Sequence, residues 1–538
     1  MDELINSFRK WTGSLTIVRL RRAHPYGLMT GSQAHPYGLM SRGGYHPPVS
    51  GIVYFAILFI YGLALIFFRN HMVTDFNKSF NEAINNQYTD WHPVIFTLIF
   101  AKLPIYIVEV LKLPIDLRHA TFIFYEFFRA LVLALAIFNI EKITNKKIAI
   151  ISLLYYMFMP LSIHSIVSQT KGTAMGEFFI LGFIILLNSI FIKNDDTKYV
   201  NDVNNINADI GLNNHKNDIE NNKIIIKKIF QDILVGIFFA LSLLMRKNGI
   251  LFFVFVFLGM LFTLPKIKFA RIILSLIVTT IIITKVIYSF FNITYMPKSH
   301  NTHEMLGLPL TVISAFMKYD EEDVDNDIKE FALELVNNDK SFYDGFNIKI
   351  GYNSVRWANG FDTNHTYEVF EKYSAKDVIN FAYRLFLKNP KLAMRSIYNL
   401  TKGVYGFRNW QGITQQNGKI LGKNLFINIY QFFLSLEVAF INLIIIIMIF
   451  AKKLYLIFIE EKNDAIDYKT KKILNKKNIF NLCMCLAVLG YNFGTMLLLS
   501  SADSTHYFMI SSMVLPLIMI SVYTKSIDNV GVSLRARF

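Results

Sequence analysis

Long stretches of this chain carry almost no polar residue, and they recur from end to end. Residues 51–68 read GIVYFAILFIYGLALIFF, and residues 425–450 read LFINIYQFFLSLEVAFINLIIIIMIF. About eighteen or more such residues, wound as an α-helix, cross a hydrocarbon core about 30 Å thick. The pattern predicts spans at 51–68, 120–139, 148–165, 175–192, 230–245, 249–265, 271–291, 425–450, 479–499 and 507–524. The expected fold class is an all-α integral membrane protein with about ten transmembrane helices.

The polar segments between these runs set the orientation. EKITNKK (141–147), the stretch 193–229 that ends in KIIIKK, PKIKFAR (265–271), the segment 451–477 and the C-terminus with Arg535 and Arg537 are rich in Lys and Arg. The short turns 166–174 and 500–506 carry few basic residues, whereas 246–248, with Arg246 and Lys247, goes against this bias. Basic loops stay in the cytoplasm, so both termini are expected inside. One condition attaches to this solution. The apolar run 93–111, interrupted by Lys102, Pro104 and Glu109 and followed by Lys112, must not cross. It reads as an amphipathic helix lying at the outer face.

Two polar segments differ in kind. The Asn/Asp-rich part of the cytoplasmic loop, 193–224, has too few apolar residues for a core and reads as disordered. The segment 292–424 carries aromatics, helical apolar spacing in IKEFALELVNN and VINFAYRLFLKNPKLAMRSIYNL, and turn signals such as ANGFD. It predicts a mainly helical external domain. Its acidic run DEEDVDND (320–327) lacks the glycine and final glutamate spacing of a calcium loop and reads as a solvated helix start.

Composition agrees with the membrane reading: 53% of the 538 residues are hydrophobic, 49 are Phe, and the mean hydropathy is +0.37. The net charge of +16 would suit a nucleic-acid partner, but the basic residues sit between the spans and form no aromatic-interleaved patch. No nucleic-acid partner is expected. Cys483 and Cys485 fall in a predicted span as small hydrophobes and imply neither a disulfide framework nor a metal site. Residues 1–50 form a basic cytoplasmic segment in which AHPYGLM occurs twice, at 23–29 and 34–40. The unit is too short for a structural repeat and reads as a local duplication or an artefact upstream of the working start.

Candidate chemistry gathers after the first span. The segment 69–119 holds Asp75 in HMVTDFNKSF, then Glu82, then Asp90-Trp91-His92-Pro93. A carboxylate beside a bilayer is costly unless water or a partner holds it. An early acidic residue, His92-Pro93 opening a juxtamembrane helix, ten spans and a late external segment together resemble the GT-C glycosyltransferases, among them the protein O-mannosyltransferases and aminoarabinose transferases. The resemblance implies a GT-C-like transmembrane core over 51–291, with 69–119 as its catalytic external loop and C-terminal helices over 425–538. It also implies transfer of a sugar from a polyprenyl-phosphate donor to a glycan, lipid or protein acceptor of the cell envelope, at a bacterial plasma membrane.

Asp75 and Asp90 are then the candidate general bases, taking the proton from the acceptor hydroxyl as it attacks the anomeric carbon. Many members carry adjacent acidic residues at this point, whereas Asp75 is followed by Phe76 and Asn77. That departure favours a lone carboxylate over a metal site, with a divalent cation as the open alternative. The departing phosphate needs cationic or hydrogen-bonding partners. Candidates are His92, Lys171 in SQTKGT, the turn residues Arg246 and Lys247, and the His506-Tyr507 pair, which stands where family members often have Arg-Tyr. Arg246 and Lys247 also fit headgroup snorkelling. Glu126 and Arg129, three apart in the second span, read as an intramembrane ion pair. Two other functions stay open: a transporter or flippase of lipid-linked sugars, which requires charges deep in several spans, and a non-enzymatic membrane scaffold.

Overall fold

The computed structural model describes residues 49–67, 74–90, 93–158, 170–191, 214–246, 249–295, 303, 305–348, 351–356, 358–405, 438–462, 468–498 and 513–518. All the named elements in these residues are helices. Those of the apolar bundle are α1 (Val49–Phe67), α2 (Thr74–Asn85), α3 (Val94–Leu111), α4 (Leu117–Ile143), α5 (Lys146–Phe158), α6 (Lys171–Phe191), α7 (Asn214–Met245), α8 (Ile250–Thr263) and α9 (Lys266–Phe290). A second group holds α10 (Gly307–Tyr319), α11 (Asn326–Leu335), α12 (Thr363–Lys372), α13 (Ala375–Lys388) and α14 (Pro390–Tyr405). Helices α15 (Val438–Lys462) and α16 (Tyr468–Leu498) follow.

By length and composition α3, α4, α6 and α9 can each cross a membrane, and α1 and α8 carry shorter apolar helices. Among the described residues the crossing-length helices number four; the expected span 507–524 lies mostly, and 425–450 in part, outside the described residues. Helix α8 holds only 14 residues, about 21 Å of rise. Outward-facing side chains on α9 are mostly apolar, including Ile267, Leu274, Ile281, Val286 and Phe290. A surface of this kind requires lipid or a partner.

The helices differ from the expected segments in four places. Residues 214–224, expected as disordered loop, are the start of α7. Helix nucleation is the costly step, and the packed apolar half of α7 supplies the nucleus from which its polar end propagates. The Lys-rich stretch 451–477 is helical at both ends, since α15 runs on to Lys462 and α16 begins at Tyr468. Lys171 opens α6 rather than lying in a turn. In the run 93–111, Pro104 does not break the helix: a π-helical turn at Leu98–Lys102 precedes it, and Pro104 stands in the first turn of the α-helical piece that follows. The resulting 18-residue helix is long and apolar enough to cross, the possibility that the interfacial reading sets aside.

Within the bundle α1 packs on α4, α4 on α5 and α6, α6 on α7, α7 on α9, and α8 on α16. The core includes an aromatic cluster of Phe179, Phe239, Phe252 and Phe253. Helices α10–α14 build a separate core around Phe316, Phe331, Tyr343, Tyr352, Val378 and Leu385, so the segment 292–424 does contain a helical unit. Asp362 caps α12, and a Ser374–Asp377 capping box opens α13. The acidic run 320–327 is a clasp as well as a helix start. Asp325 and Asp327 pair with Arg384, and Asp325 also with Lys388, which ties the start of α11 to α13.

Candidate functional site

Asp75 is the second residue of α2, and its side chain lies outside the described residues. Its neighbour Phe76 is fully buried and anchors the helix: its ring lies 6.0 Å from Phe96 of α3, and 6.1 and 6.4 Å from Phe122 and Tyr125 of α4. The Tyr125 hydroxyl donates to the carbonyl of Thr170, the residue before Lys171, at 3.2 Å. A chain of rings therefore links the start of α2 to the start of α6.

The end of α7 reaches the same place. Helices α6 and α7 pack together, and the Ser242 hydroxyl donates to the Met175 carbonyl at 2.7 Å. At Gly249 a Cβ would lie 2.7 Å from the Met175 Cε, so this turn approaches α6 closely. Arg246 is only 6% exposed, so its side chain does not extend along the surface as the snorkelling reading expects. The structure thus brings Lys171 and Arg246 to one end of the bundle, alongside the start of α2. Trp91, His92, Lys247, His506 and Tyr507 lie outside the described residues.

The first loop is pinned from its other side. Asp90 donates its backbone N–H to the Thr294 carbonyl at 3.1 Å, and Thr294 donates to the Tyr88 carbonyl at 2.9 Å. Tyr88 packs edge-on against Phe291. Asp90 is held where α9 ends and the segment toward α10 begins, within electrostatic reach of Tyr288.

Glu82 belongs to the same loop, and sequence reasoning ranked it below its neighbours. It is half-buried and accepts hydrogen bonds from the Thr89 hydroxyl at 2.6 Å and the Thr97 hydroxyl at 3.5 Å. Burial raises its pKa above the usual carboxylate value, while the Thr89 and Thr97 bonds and the charge of Lys78 oppose the rise. A carboxylate whose pKa is raised by burial holds a proton more readily than a solvated one, as a general base requires. Its sequence signal is an acidic residue four positions after Lys78 in the juxtamembrane stretch DFNKSFNEAIN.

Deeper in the bundle the expected ion pair is present. Arg129 donates through Nε and Nη2 to the two Glu126 oxygens at 2.8 and 2.7 Å, and both side chains are fully buried. Gly62 of α1 makes room for it, since a Cβ there would lie 1.9 Å from the Glu126 Oε1. A third charge was missed: Glu177 of α6, also fully buried and electrostatically coupled to Arg129. Its signal was present, a lone carboxylate in the apolar run KGTAMGEFFILGF. Among the described residues, no group of three or more His, Cys, Asp or Glu side chains could hold a metal ion. No family model, curated protein or solved structure matches this chain.

Proposed function

We propose that the chain is a multi-pass membrane glycosyltransferase of GT-C type. It takes a sugar from a polyprenyl-phosphate-linked donor and passes it to a cell-envelope acceptor at the outer face of a bacterial plasma membrane, inverting the linkage. The observation that carries the reading is the meeting of the acidic first loop with two cationic helix ends. The loop brings Asp75 in α2, Glu82 and Asp90; α6 and α7 bring Lys171 and Arg246. In this scheme a loop carboxylate takes the proton of the acceptor hydroxyl, which attacks the anomeric carbon while the bond to the carrier phosphate breaks. Lys171 and Arg246 stabilise the phosphate as it leaves.

The test is surface-glycan composition in a deletion strain, complemented with wild type or with Asp75→Asn, Glu82→Gln or Asp90→Asn at equal expression. Loss of one sugar, its return with wild type and its absence with at least one carboxylate variant is the expected result. Full restoration by all three variants refutes the reading. A transporter or flippase of lipid-linked sugars is the second reading, and a specific observation favours it. Fully buried ionisable side chains stand on two helices, Glu126 and Arg129 on α4 and Glu177 on α6. Movement of labelled lipid-linked sugar across proteoliposomes with no new glycosidic bond would select it.

A further inference from the structure

The buried charges of α4 and α6 do not balance. Glu126 and Arg129 form a closed pair, with two hydrogen bonds between them. Glu177 adds a second carboxylate, and neither of its oxygens has a hydrogen-bond partner. The third guanidinium nitrogen, Arg129 Nη1, has none either. Among the described residues the cluster therefore has one cation and two carboxyl groups, with unmet hydrogen-bonding capacity on both Arg129 and Glu177. An ionised carboxylate with no donor in an apolar interior is strongly disfavoured.

The groups acting on Glu177 are few. From α4 these are Arg129, Glu126 and Tyr125. On the other flank, α7 offers the Ser242 hydroxyl, already bonded to the Met175 carbonyl. The buried acidic group of α7, Asp232, is paired with Lys268 and Arg271. On α6 itself the nearest cation in sequence is Lys171, six residues or about 9 Å up the helix. Among the described residues Arg129 is thus the one cation among the groups acting on Glu177, and Glu126 holds it through two of its three nitrogens.

We propose that Glu177 is a proton-binding site in the core of the bundle and that Arg129 is its partner in exchange. With Arg129 committed to Glu126, Glu177 carries the proton and is neutral. When the Glu177 O–H bond breaks and the proton leaves to water, the carboxylate keeps the electron pair and Arg129 turns its open Nη1 edge toward it. The ligand is a proton, and no other bond changes. The site stands apart from the sugar chemistry proposed above and depends on neither of the two functional readings.

The test uses the full-length protein in lipid vesicles and two independent probes. Dicyclohexylcarbodiimide, an apolar reagent, attacks protonated carboxyl groups, and peptide mass spectrometry locates the adduct. An adduct at Glu177 and not at Glu126 is expected, falling about tenfold per pH unit above the titration midpoint. Glu126→Gln releases Arg129 to Glu177 and should reduce the Glu177 adduct by about tenfold or more. The second probe is the infrared carbonyl band of a protonated carboxylic acid, expected in wild type and lost in Glu177→Gln. Gln is an isosteric mimic of the neutral acid, so this variant should keep its elution profile in detergent. A carbonyl band unchanged by Glu177→Gln, together with no Glu177 adduct at any pH, overturns the proposal. Labelling of Glu177 that is indifferent to Glu126→Gln overturns the exchange with Arg129.

Discussion

Removing Arg129 alone should damage the bundle more than removing the whole ion pair. In Arg129→Leu the Glu126 carboxylate loses hydrogen bonds of 2.8 and 2.7 Å and has no route to water. It also cannot turn toward α1, because the Gly62 backbone already lies against it. Breaking one side of a buried pair typically costs about 3–5 kcal/mol, whereas replacing both partners with apolar groups is close to neutral or stabilising. Arg129→Leu should therefore lower the unfolding free energy in detergent by about that amount. The double variant Glu126→Leu/Arg129→Leu should recover most of the loss. Denaturant titration followed by intrinsic fluorescence, with size-exclusion profiles as a folding control, measures both. An unchanged midpoint in Arg129→Leu would refute the claim that the pair is sealed from water. A double variant no more stable than the single would refute the view that an unpaired Glu126 causes the damage.

Other outcomes follow from the same contacts. Gly62→Ala drives a methyl into Glu126 and should destabilise the bundle by about 1–3 kcal/mol on overpacking grounds, read by the same titration. If Glu82 is the base, transfer activity should fall as pH drops through its raised pKa. Thr89→Val removes a bond that holds that pKa down and should move the acid limb to higher pH. Because the folded state binds the Glu82 proton more tightly than the unfolded chain, Glu82 should subtract stability as pH rises from its ordinary pKa through the raised one. Asp325 and Asp327 have the opposite sign. Lys388 and Arg384 beside Asp325, and Arg384 beside Asp327, hold these carboxyls below their usual range. Their contribution is present above the ordinary carboxylate pKa and is lost as pH falls through the lowered values. These groups are partly exposed, so the clasp should weaken with salt, and Arg384→Ala should remove most of the acid sensitivity of the α11–α13 contact in hydrogen exchange.

Much of the helical layout was legible in the order of residues. Apolar runs such as 51–68 and 120–139 became α1 and α4, because a helix satisfies its own backbone and needs no partner to do so. The Glu126–Arg129 pair was legible for a similar reason, since i,i+3 spacing alone places both groups on one face. Helix ends were less legible. The polar start of α7 and the continuity of α3 through Pro104 depend on neighbours that stabilise helix where local composition does not. The site was legible only in part. Asp75, Asp90, Lys171 and Arg246 could each be picked out by charge in an apolar context. Their placement required the packing of Phe76 on Tyr125, the Tyr125 bond to Thr170 and the close approach of Gly249 to Met175. Glu177 shows the division most plainly. Along the chain it is a single carboxylate in an apolar run, 48 positions beyond Arg129. Only the packing of α6 on α4 sets the two charges in one low-dielectric core, where burial makes their interaction strong and leaves a carboxylate without a hydrogen-bond donor.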